Sequence, residues 1–557
     1  MTFRPSFGSG LGWSPSRRRL LRGAAAAGLA SPLARGAAWA ADGAFQPSWE
    51  SLSAGYKTPD WFRDAKLGIW AHWSAQCVPE FGDWYARDMY IQGDPAYDDH
   101  VKRYGHPTKV GFMQMNNLWK AENWDPEVLM GLYKAAGAQY FVSLANHHDN
   151  FDNYDSRHHA WNSVRIGPRR DIVGTWAKIA RAHGLRFGVS NHSAHAWHWF
   201  QTAYGYDAEG PLAGARYDAF TLTKADGAGT WWDGLDPQQL YAGRNIVIPD
   251  GITDIKAMRA WHDANDGQWH EEPPPGDPNF ARQWQARCKD LVDRYHPDLL
   301  YFDDWGLPLG QTGIDMTAYY YNASRRWNGG ALDVVVNAKN LSPAQRRGVV
   351  EDIERGASDT LRPQPWQTDT CIGNWHYDRA LFERHGYKTA KMVIQRLADV
   401  VSKNGNLLLS IPVRGDGTID EDEFKILGDM AGWMAVNSEA IFASRPWKVY
   451  GEGPAHAASG QFSEGKASDY ADEDIRFTTR AGALYAVAME WPDDVLTIKS
   501  LAAGSPLAPG SIDRVELLGA PGPLAIERGA DGLTITLPGQ RPVGFAPVFR
   551  IHGADLV

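Results

Sequence analysis

The chain has 557 residues, a formal net charge of −10, and 25 Trp and 22 Tyr. This length exceeds one compact domain, so we expect two or three domains. The acidic balance argues against a basic nucleic-acid-binding face, and beyond the N-terminal segment no apolar run reaches the roughly 20 residues that a membrane span needs. Tryptophan faces stack on sugars but also fill cores, so the tryptophan content only hints at carbohydrate chemistry.

The first 40 residues have the order of features of an export signal. Paired arginines in Ser16–Arg22 precede an Ala- and Leu-rich stretch over 23–34, and Ala38-Trp39-Ala40 offers a small-x-small cleavage site. This series predicts a twin-arginine signal peptide over residues 1–40 and a periplasmic or secreted location, with a surface helix as the alternative. The cysteines are far apart and odd in number, which favours neither a disulfide scaffold nor a CxxC metal site: Cys77, Cys288 and Cys371.

Residues 41–445 are predicted to form a (β/α)8-like (TIM) barrel, because short apolar strands alternate with helical segments. Helices are predicted over 124–137 and 171–183, where apolar residues recur at helical spacing. Because chemistry in such barrels lies at the C-terminal ends of the strands, polar residues there are candidates for a site. Three predicted strands end in this way: Lys66–Ala71 before His72, Gln139–Ala145 before Asn146-His147-His148-Asp149, and Arg186–Ser190 before Asn191-His192.

The segment Pro297–Gly306 carries the leading catalytic candidate. A helix predicted over 279–295 precedes a short apolar run that ends in Asp303 and Asp304. Two acids at the end of a buried strand are costly unless they are used. We therefore predict that Asp303 is catalytic. The alternative is that one acid caps the next helix and the other is solvated.

The remaining segments complete the barrel and add a second domain. Residues 200–277 are rich in Gly, Pro and Trp and predict a long insertion or lid between barrel units, with a short helix over 254–265. Further predictions are helices over 316–327, 389–403 and 421–437, strands over 332–336 and 405–412, and two polar stretches over 349–356 and 365–371. Over 446–557, short runs separated by turns predict a C-terminal β-sandwich, with surface hairpins as the alternative: 483–489, 495–498, 515–518, 533–537 and 548–551.

The strand ends supply what glycosidic cleavage requires, namely two carboxyl groups, donors for ring hydroxyls and aromatic walls. Beside Asp303, the second carboxyl group would come from Glu351, Asp352, Glu354 or Asp369. The expected partner is therefore a glycan or glycoside. The candidate donors are His72, His147, His148 and His192, and the candidate walls are Trp73, Trp84, Tyr301, Trp305 and Trp375.

His147-His148-Asp149 also suggests metal ligands. On a regular strand, adjacent side chains point to opposite faces, so the two histidines cannot both bind one ion. No HxH or HExxH pattern with supporting acids is present. We predict no metal ion and no cofactor; a metal-dependent hydrolase is the alternative, which chelator sensitivity would identify.

Taken in order, several segments resemble the α-L-fucosidases of glycoside hydrolase family 29. Each segment alone is weak evidence, but together they cover about residues 55–450 and are specific. The matching segments are Gly68-Ile69-Trp70-Ala71-His72-Trp73, Asn146-His147-His148-Asp149-Asn150-Phe151, Arg186-Phe187-Gly188-Val189, Leu299-Leu300-Tyr301-Phe302-Asp303, Gly405 through Pro412, and Glu439 through Trp447.

The resemblance implies a retaining exo-hydrolase that removes terminal α-L-fucose from glycans by double displacement. Asp303 falls on the family's nucleophile position. Glu354 fits the acid/base position, with Glu351 as the second choice and Asp369 as the third. The sugar-binding positions of the family fall on His72, His147, His148 and Trp84.

The chain also departs from the family's pattern. Tyr301 stands where a tryptophan is usual, and Ser190-Asn191 where a binding tyrosine is expected. Lys339 stands where a binding arginine is expected and lacks its planar fork, which His192 would offset. Because fucose and L-galactose differ only at C6, α-L-galactose stays open as the sugar. A glycosidase with a different sugar specificity and a catalytically inactive carbohydrate-binding protein on the same fold also stay open.

Overall fold

A computed structural model describes residues 44–456, 458–466 and 468–557. The predicted signal peptide over 1–40 lies outside the described residues. Within the compact unit Phe45–Val557, eight parallel strands close into a barrel in chain order. The strands are β1 Leu67–Ala71, β2 Tyr140–Asn146, β3 Arg186–Asn191, β4 Leu299–Trp305, β5 Val335–Lys339, β6 Val350–Asp352, β7 Trp366–Cys371 and β8 Gly405–Ser410.

The barrel strands are buried on both faces, which explains the nearly continuous apolar sequences of β1, β2 and β8. Strands β6 and β7 are buried as well, although most of their residues are polar. Every residue of β1, β2, β7 and β8 is buried. The barrel closes where β1 pairs with β8, with Leu67 opposite Leu407. All parallel strands therefore present their C-terminal ends at one edge, where the polar residues of the sequence collect.

Helices surround the barrel, and several begin at an aspartate. The side chains of Asp125, Asp171, Asp277 and Asp420 each accept a hydrogen bond from a backbone N–H of the first helical turn, which satisfies a donor that would otherwise be unpaired. The helices are Trp49–Gly55, Asp60–Ala65, Tyr85–Asp88, Pro95–Arg103, Phe112–Leu118, Pro126–Ala135, Ile172–Ala182, Ala196–Trp199, Asp218–Thr221, Pro237–Leu240, Ile255–Ala264, Pro278–Tyr295, Gln311–Trp327, Arg379–Glu383, Ala390–Ser402 and Glu421–Asn437.

The insertion between β3 and β4 is anchored to the rest of the barrel. Arg87 forms a buried ion pair with Asp266 of the insertion at 2.7 Å and also donates to the carbonyl of Trp199. Tyr90, outside the insertion, donates to Asp218 of the insertion at 2.9 Å in a buried cluster. These contacts order residues 200–277 against the C-terminal edge of the barrel.

Two antiparallel sheets follow the barrel, which confirms the predicted fold class of a barrel followed by a C-terminal β-sandwich. The strands are β9 Arg445–Glu452, β10 Ile475–Arg480, β11 Ala483–Ala488, β12 Val495–Ile498, β13 Ile512–Leu517, β14 Ile526–Arg528, β15 Leu533–Thr536 and β16 Val548–Gly553. A five-stranded sheet has the order β13-β16-β11-β10-β9, and a three-stranded sheet has the order β12-β15-β14. Trp447, Phe477 and Phe549 of the larger sheet share one core with Leu496 and Ile535 of the smaller.

Some element boundaries differ from the predictions. The strand predicted over 332–336 begins at Val335, because the backbone N–H of Val335 donates to the carbonyl of Asp298 and so fixes its register beside β4. The helix predicted from residue 316 begins at Gln311. Strands β6, β7, β9, β10 and β14 were not predicted as strands. Among the described residues, no helix combines the length and apolarity that crossing a membrane would require.

Candidate active site

Asp303 lies at the end of β4 among four buried histidines. Its Oδ2 atom is 3.0 Å from Nδ1 of His192 and 3.3 Å from Nε2 of His148. The ring of His192 lies 4.9 Å from that of His147 and 5.5 Å from that of His72. The strand ends of β1, β2, β3 and β4 thus bring together Asp303 and all four histidines that the sequence predicted.

Lys339, the last residue of β5, joins the two candidate catalytic carboxyl groups. Its Nζ atom donates to Oδ1 of Asp303 and to Oε2 of Glu354. Two acceptors that share one ammonium nitrogen lie within about 6 Å of each other, because each N–H···O contact spans about 3 Å. Lys339 itself is buried.

The two carboxyl groups have opposite pKa shifts. Burial alone would raise the pKa of Asp303, but the Lys339 ammonium and the facing His192 and His148 hold it well below its usual range. Burial raises the pKa of Glu354 to about 7, although Lys339 opposes the shift. Asp303 is therefore ionised and Glu354 largely protonated at mildly acidic pH, which is the pairing that a nucleophile and a general acid need.

Burial also keeps the histidines mostly neutral. It lowers the pKa of His72 and of His147 well below the usual range, and that of His192 to about 4. His148 is constrained further, because its Nδ1 faces the carbonyl of His192 at 2.8 Å while its Nε2 faces Asp303. A neutral ring can donate to only one of these two acceptors.

The other acids predicted as candidates have other hydrogen-bond partners. Asp369 is buried beneath Lys339, where it accepts a hydrogen bond from the hydroxyl of Tyr301 at 2.7 Å. Asp352 lies beside it, and burial followed by the Asp369 charge raises the pKa of Asp352 well above its usual range. Glu351 is engaged by Arg346 at 2.8 Å and by Arg362, away from Asp303. The structure therefore groups Glu354, rather than Glu351 or Asp369, with Asp303 around the Lys339 ammonium.

The predicted aromatic walls occupy different depths. Trp375 packs its ring 4.9 Å from that of His72, next to the site. Trp84 and Trp305 are 43% and 51% exposed at the rim. Tyr301 is buried, so it contributes its hydroxyl to Asp369 rather than an open face. The prediction for Trp73 as a wall is wrong, because it is buried and its indole donates to the carbonyl of Arg414.

Several neighbours of Asp303 were not singled out from the sequence. His195 Nε2 lies 3.0 Å from the carbonyl oxygen of Asp303 and 3.0 Å from Oδ1 of Asp304. Trp269 of the insertion stacks on His195 with ring centroids 3.9 Å apart, and Glu271 accepts from the backbone N–H of Trp305 at 2.9 Å. The histidine spacing at 192, 195 and 198 was the available signal for His195.

Two groups in the described part of the chain bring three possible metal-ligand atoms within 4.8 Å of one another. In the first, His147, His148 and His192, the last two rings face Asp303 and so have another role. In the second, His195, Glu271 and Asp304, burial raises the pKa of Glu271 to about 8 and that of Asp304 well above its usual range. A proton on either acid would remove the repulsion between the two carboxyl groups.

An ionised acid beside a protonated acid, with donors and aromatic rings at the C-terminal edge of a barrel, is the chemistry of a glycoside hydrolase. Comparison with known proteins leads to the same class of protein. The family model described as alpha-L-fucosidase matches residues 33–439, and that of the alpha-L-fucosidase C-terminal domain matches residues 468–552. The chain therefore belongs to the alpha-L-fucosidase family, as its motifs predicted.

Individual relatives match over nearly their whole length. The tissue alpha-L-fucosidase of Rattus norvegicus is 27% identical over 515 residues, which cover 90% of each chain. That of Homo sapiens is 26% identical over 514 residues, again 90% of each. A solved structure described as alpha-L-fucosidase has a TM-score of 0.66 at 24% identity and covers 91% of this chain and 100% of its own. A Thermotoga maritima alpha-L-fucosynthase has a TM-score of 0.64 at 23% identity, with 92% and 100% coverage.

Proposed function

We propose that the chain is a retaining exo-α-L-fucosidase that releases terminal α-L-fucose from a glycan or glycoside by double displacement. The observation that carries this proposal is the Lys339 ammonium that bonds both Asp303 and Glu354. Carboxyl groups are about 5–5.5 Å apart in retaining glycosidases and about 6.5–9.5 Å apart in inverting ones. Acceptors that share one nitrogen fit the shorter range.

In the first step, an Asp303 oxygen attacks the anomeric carbon as the glycosidic C–O bond breaks, and Glu354 gives its proton to the leaving oxygen. In the second step, Glu354 as a carboxylate takes a proton from water. The resulting hydroxide oxygen attacks the anomeric carbon and displaces Asp303. The two inversions return the sugar with its original α configuration.

The remaining side chains of the site bind the sugar. His72, His147, His148 and His192 offer ring nitrogens around the nucleophile, which suits the ring hydroxyls of a hexose. Trp375 borders the same space, and the exposed rings of Trp84 and Trp305 stand at the rim, where an apolar sugar face could stack. We include α-L-galactosides as a second substrate, because fucose and L-galactose differ only at C6 and the chain departs from the family's pattern at several positions of the site.

The proposed chain organisation is a twin-arginine signal over 1–40, a catalytic domain over 41–445 with the insertion 200–277, and a C-terminal domain over 446–557. The paired arginines, apolar stretch and cleavage site support export to the periplasm or medium. Fractionation of cells that produce the chain and its Arg17→Lys/Arg18→Lys variant tests this location. Cytoplasmic retention of both proteins alike would count against a twin-arginine signal.

The direct test of function is hydrolysis of aryl α-L-fucosides and aryl α-L-galactosides by the wild type, Asp303→Ala and Glu354→Ala. We expect Asp303→Ala to lose about 10³-fold or more in kcat and to be rescued by azide with an inverted product. We expect azide to rescue Glu354→Ala with a retained product. Glu351→Gln is the control, since it alters a nearby acid that pairs with arginines outside the site.

Each outcome of this test has a separate meaning. Full activity in Glu354→Ala together with loss in Glu351→Gln would move the acid/base role to Glu351. A retained product from azide-treated Asp303→Ala would remove the nucleophile assignment. Absence of wild-type turnover on both sugars would reject the proposed specificity.

A further inference from the structure

Residues 460–464, here called the strap, lie in the connection between β9 and β10 of the C-terminal sheet and pack against the barrel segment that carries Glu354. The strap falls outside both matched family regions, which end at residue 439 and begin again at residue 468. Its chain runs antiparallel to residues 354–357, where Ala357 and Gly460 form a β-bridge. The strap is therefore the outer neighbour of the Glu354 backbone.

The backbone of Glu354 depends on the strap for its hydrogen bonds. The N–H groups of Ile353 and Arg355 donate inward to the carbonyls of β7 residues, each at 2.9 Å. The polar groups of Glu354 point the opposite way: its N–H donates to Oε1 of Gln461 at 2.5 Å, and its carbonyl accepts from the N–H of Phe462 at 2.8 Å. Glu354 thus sits in a short extended segment held between β7 and the strap.

Gln461 holds this segment at two points. While its Oε1 accepts from the N–H of Glu354, its Nε2 donates to the carbonyl of Asp352 at 3.0 Å. One amide side chain therefore fixes the backbone from the end of β6 to the acid/base residue.

The strap is itself fixed and lies close to the segment. Ser463 donates to the carbonyls of Ala458 and Gly460 at 2.6 and 2.7 Å, and Glu464 accepts from Thr370 of β7 at 2.8 Å and from Lys388 at 2.9 Å. A Cβ atom added at Gly356 would overlap the carbonyl of Gly460.

We infer that Gln461 is a positioning residue for the general acid/base, and that the strap completes the leaving-group side of the active site. This inference rests on the proposed role of Glu354. The pairing of β6 with β5 ends at Asp352, so the strap supplies the outer neighbour that Glu354 would otherwise lack. A catalytic group displaced by about 1 Å can lose about 10²-fold in rate.

Charged and titratable groups from three barrel strands face Glu354 and influence its pKa. The effect of a substitution in the strap on this pKa adds to their effects. These groups are Lys339 of β5, Asp303 of β4, Asp369 of β7, Tyr301 of β4, and the adjacent Arg355. Removing the Gln461 amide admits water to a buried carboxyl group, so the basic limb of the pH profile should move to lower pH. A carboxylate at position 461 should move that limb to higher pH by repulsion.

The test compares leaving groups. Kinetics of kcat/KM are measured for aryl α-L-fucosides from 2,4-dinitrophenyl, which needs little protonation, to unsubstituted phenyl, which needs full protonation. We expect Gln461→Ala to lose about 10–100-fold on the phenyl substrate and less than about threefold on the dinitrophenyl one. The ratio between substrates does not depend on the folded fraction, so partial misfolding cannot imitate the result. Gln461→Glu is assayed for the opposite shift of the basic limb.

Gln395→Ala is the matched control, because the Gln395 amide also bonds the C-terminal region but donates to the carbonyl of Met489 and to Glu490 rather than to the Glu354 segment. Its substrate ratio should equal that of the wild type. Equal losses on both substrates in Gln461→Ala would overturn the inference, provided that Glu354→Gln shows the leaving-group dependence. If Glu354→Gln also lacks that dependence, the acid/base assignment itself fails, and the inference with it.

Discussion

Replacing Lys339 by Met removes the ammonium that bonds both Asp303 and Glu354, and we expect the pH profile of kcat/KM to move to higher pH on both sides. Asp303 must be ionised, and Lys339 lowers its pKa, so the acidic limb rises when the charge is lost. Glu354 must be protonated, and Lys339 also lowers its pKa of about 7, so the basic limb rises as well.

The size of the expected shift in each limb follows from the close contact between the Lys339 ammonium and the two carboxyl groups. Unit charges about 4 Å apart at an effective dielectric constant of about 20 interact by ~4 kcal/mol, which corresponds to ~3 pKa units. Water that enters the vacated space screens part of this effect, so we expect each limb to move by about 1–3 pH units. The assay is hydrolysis of an aryl α-L-fucoside between pH 4 and 10, with thermal unfolding followed in parallel.

Lys339→Arg is the control, because it keeps the charge and should leave both limbs within about 0.5 pH unit of the wild type. A limb of Lys339→Met that stays in place or moves to lower pH would refute the view that one ammonium sets both pKa values. Movement of the acidic limb alone would indicate that Glu354 is not the group behind the basic limb.

Two further pairs of substitutions test packing. Gly356→Ala should displace the strap and lower kcat/KM on phenyl α-L-fucoside by about tenfold, whereas Gly428→Ala, which faces open space in the helix Glu421–Asn437, should keep full activity and raise the free energy of unfolding by up to ~1 kcal/mol. Arg476→Ala removes one of the two buried partners of Asp399, at 2.6 Å, leaves Lys403 as the other at 2.8 Å, and should cost ~2 kcal/mol in urea unfolding. The half-exposed Arg514→Ala should cost less than ~0.5 kcal/mol. Equal effects within either pair would contradict the packing argument.

Local patterns in the sequence were sufficient to predict the barrel and much of the site. Apolar runs buried on both faces can be read directly, and the end of a strand is marked by the polar residue that follows it. This is why Asp303, His72, His147, His148 and His192 could be predicted as neighbours although they come from four different strands. The resemblance of the motifs also implies that Asp303 falls on the family's nucleophile position.

What could not be predicted depends on contacts distant in sequence. Strand β10 spans Ile475–Arg480 and contains Arg476. An arginine argues against a buried strand unless its ion-pair partner, here Asp399, is known. From the sequence, Lys339 could be interpreted only as a replacement for the expected arginine, because no local sequence pattern shows that its ammonium lies between two carboxylates. The amide of Gln461 reaches a residue 107 positions earlier, and no periodicity records such a contact.

The pairing of β1 with β8 has a consequence for biosynthesis. Leu67 is opposite Leu407, so 340 residues separate the two strands that close the barrel. At about 5–20 residues per second, the ribosome needs roughly 20–70 s to make that length. During this time the edge of β1 that later pairs with β8 has no partner strand. An unpaired apolar strand edge pairs readily with other chains. Aggregation of nascent chains should therefore depend on what shields Leu67–Ala71 until Gly405–Ser410 has been made.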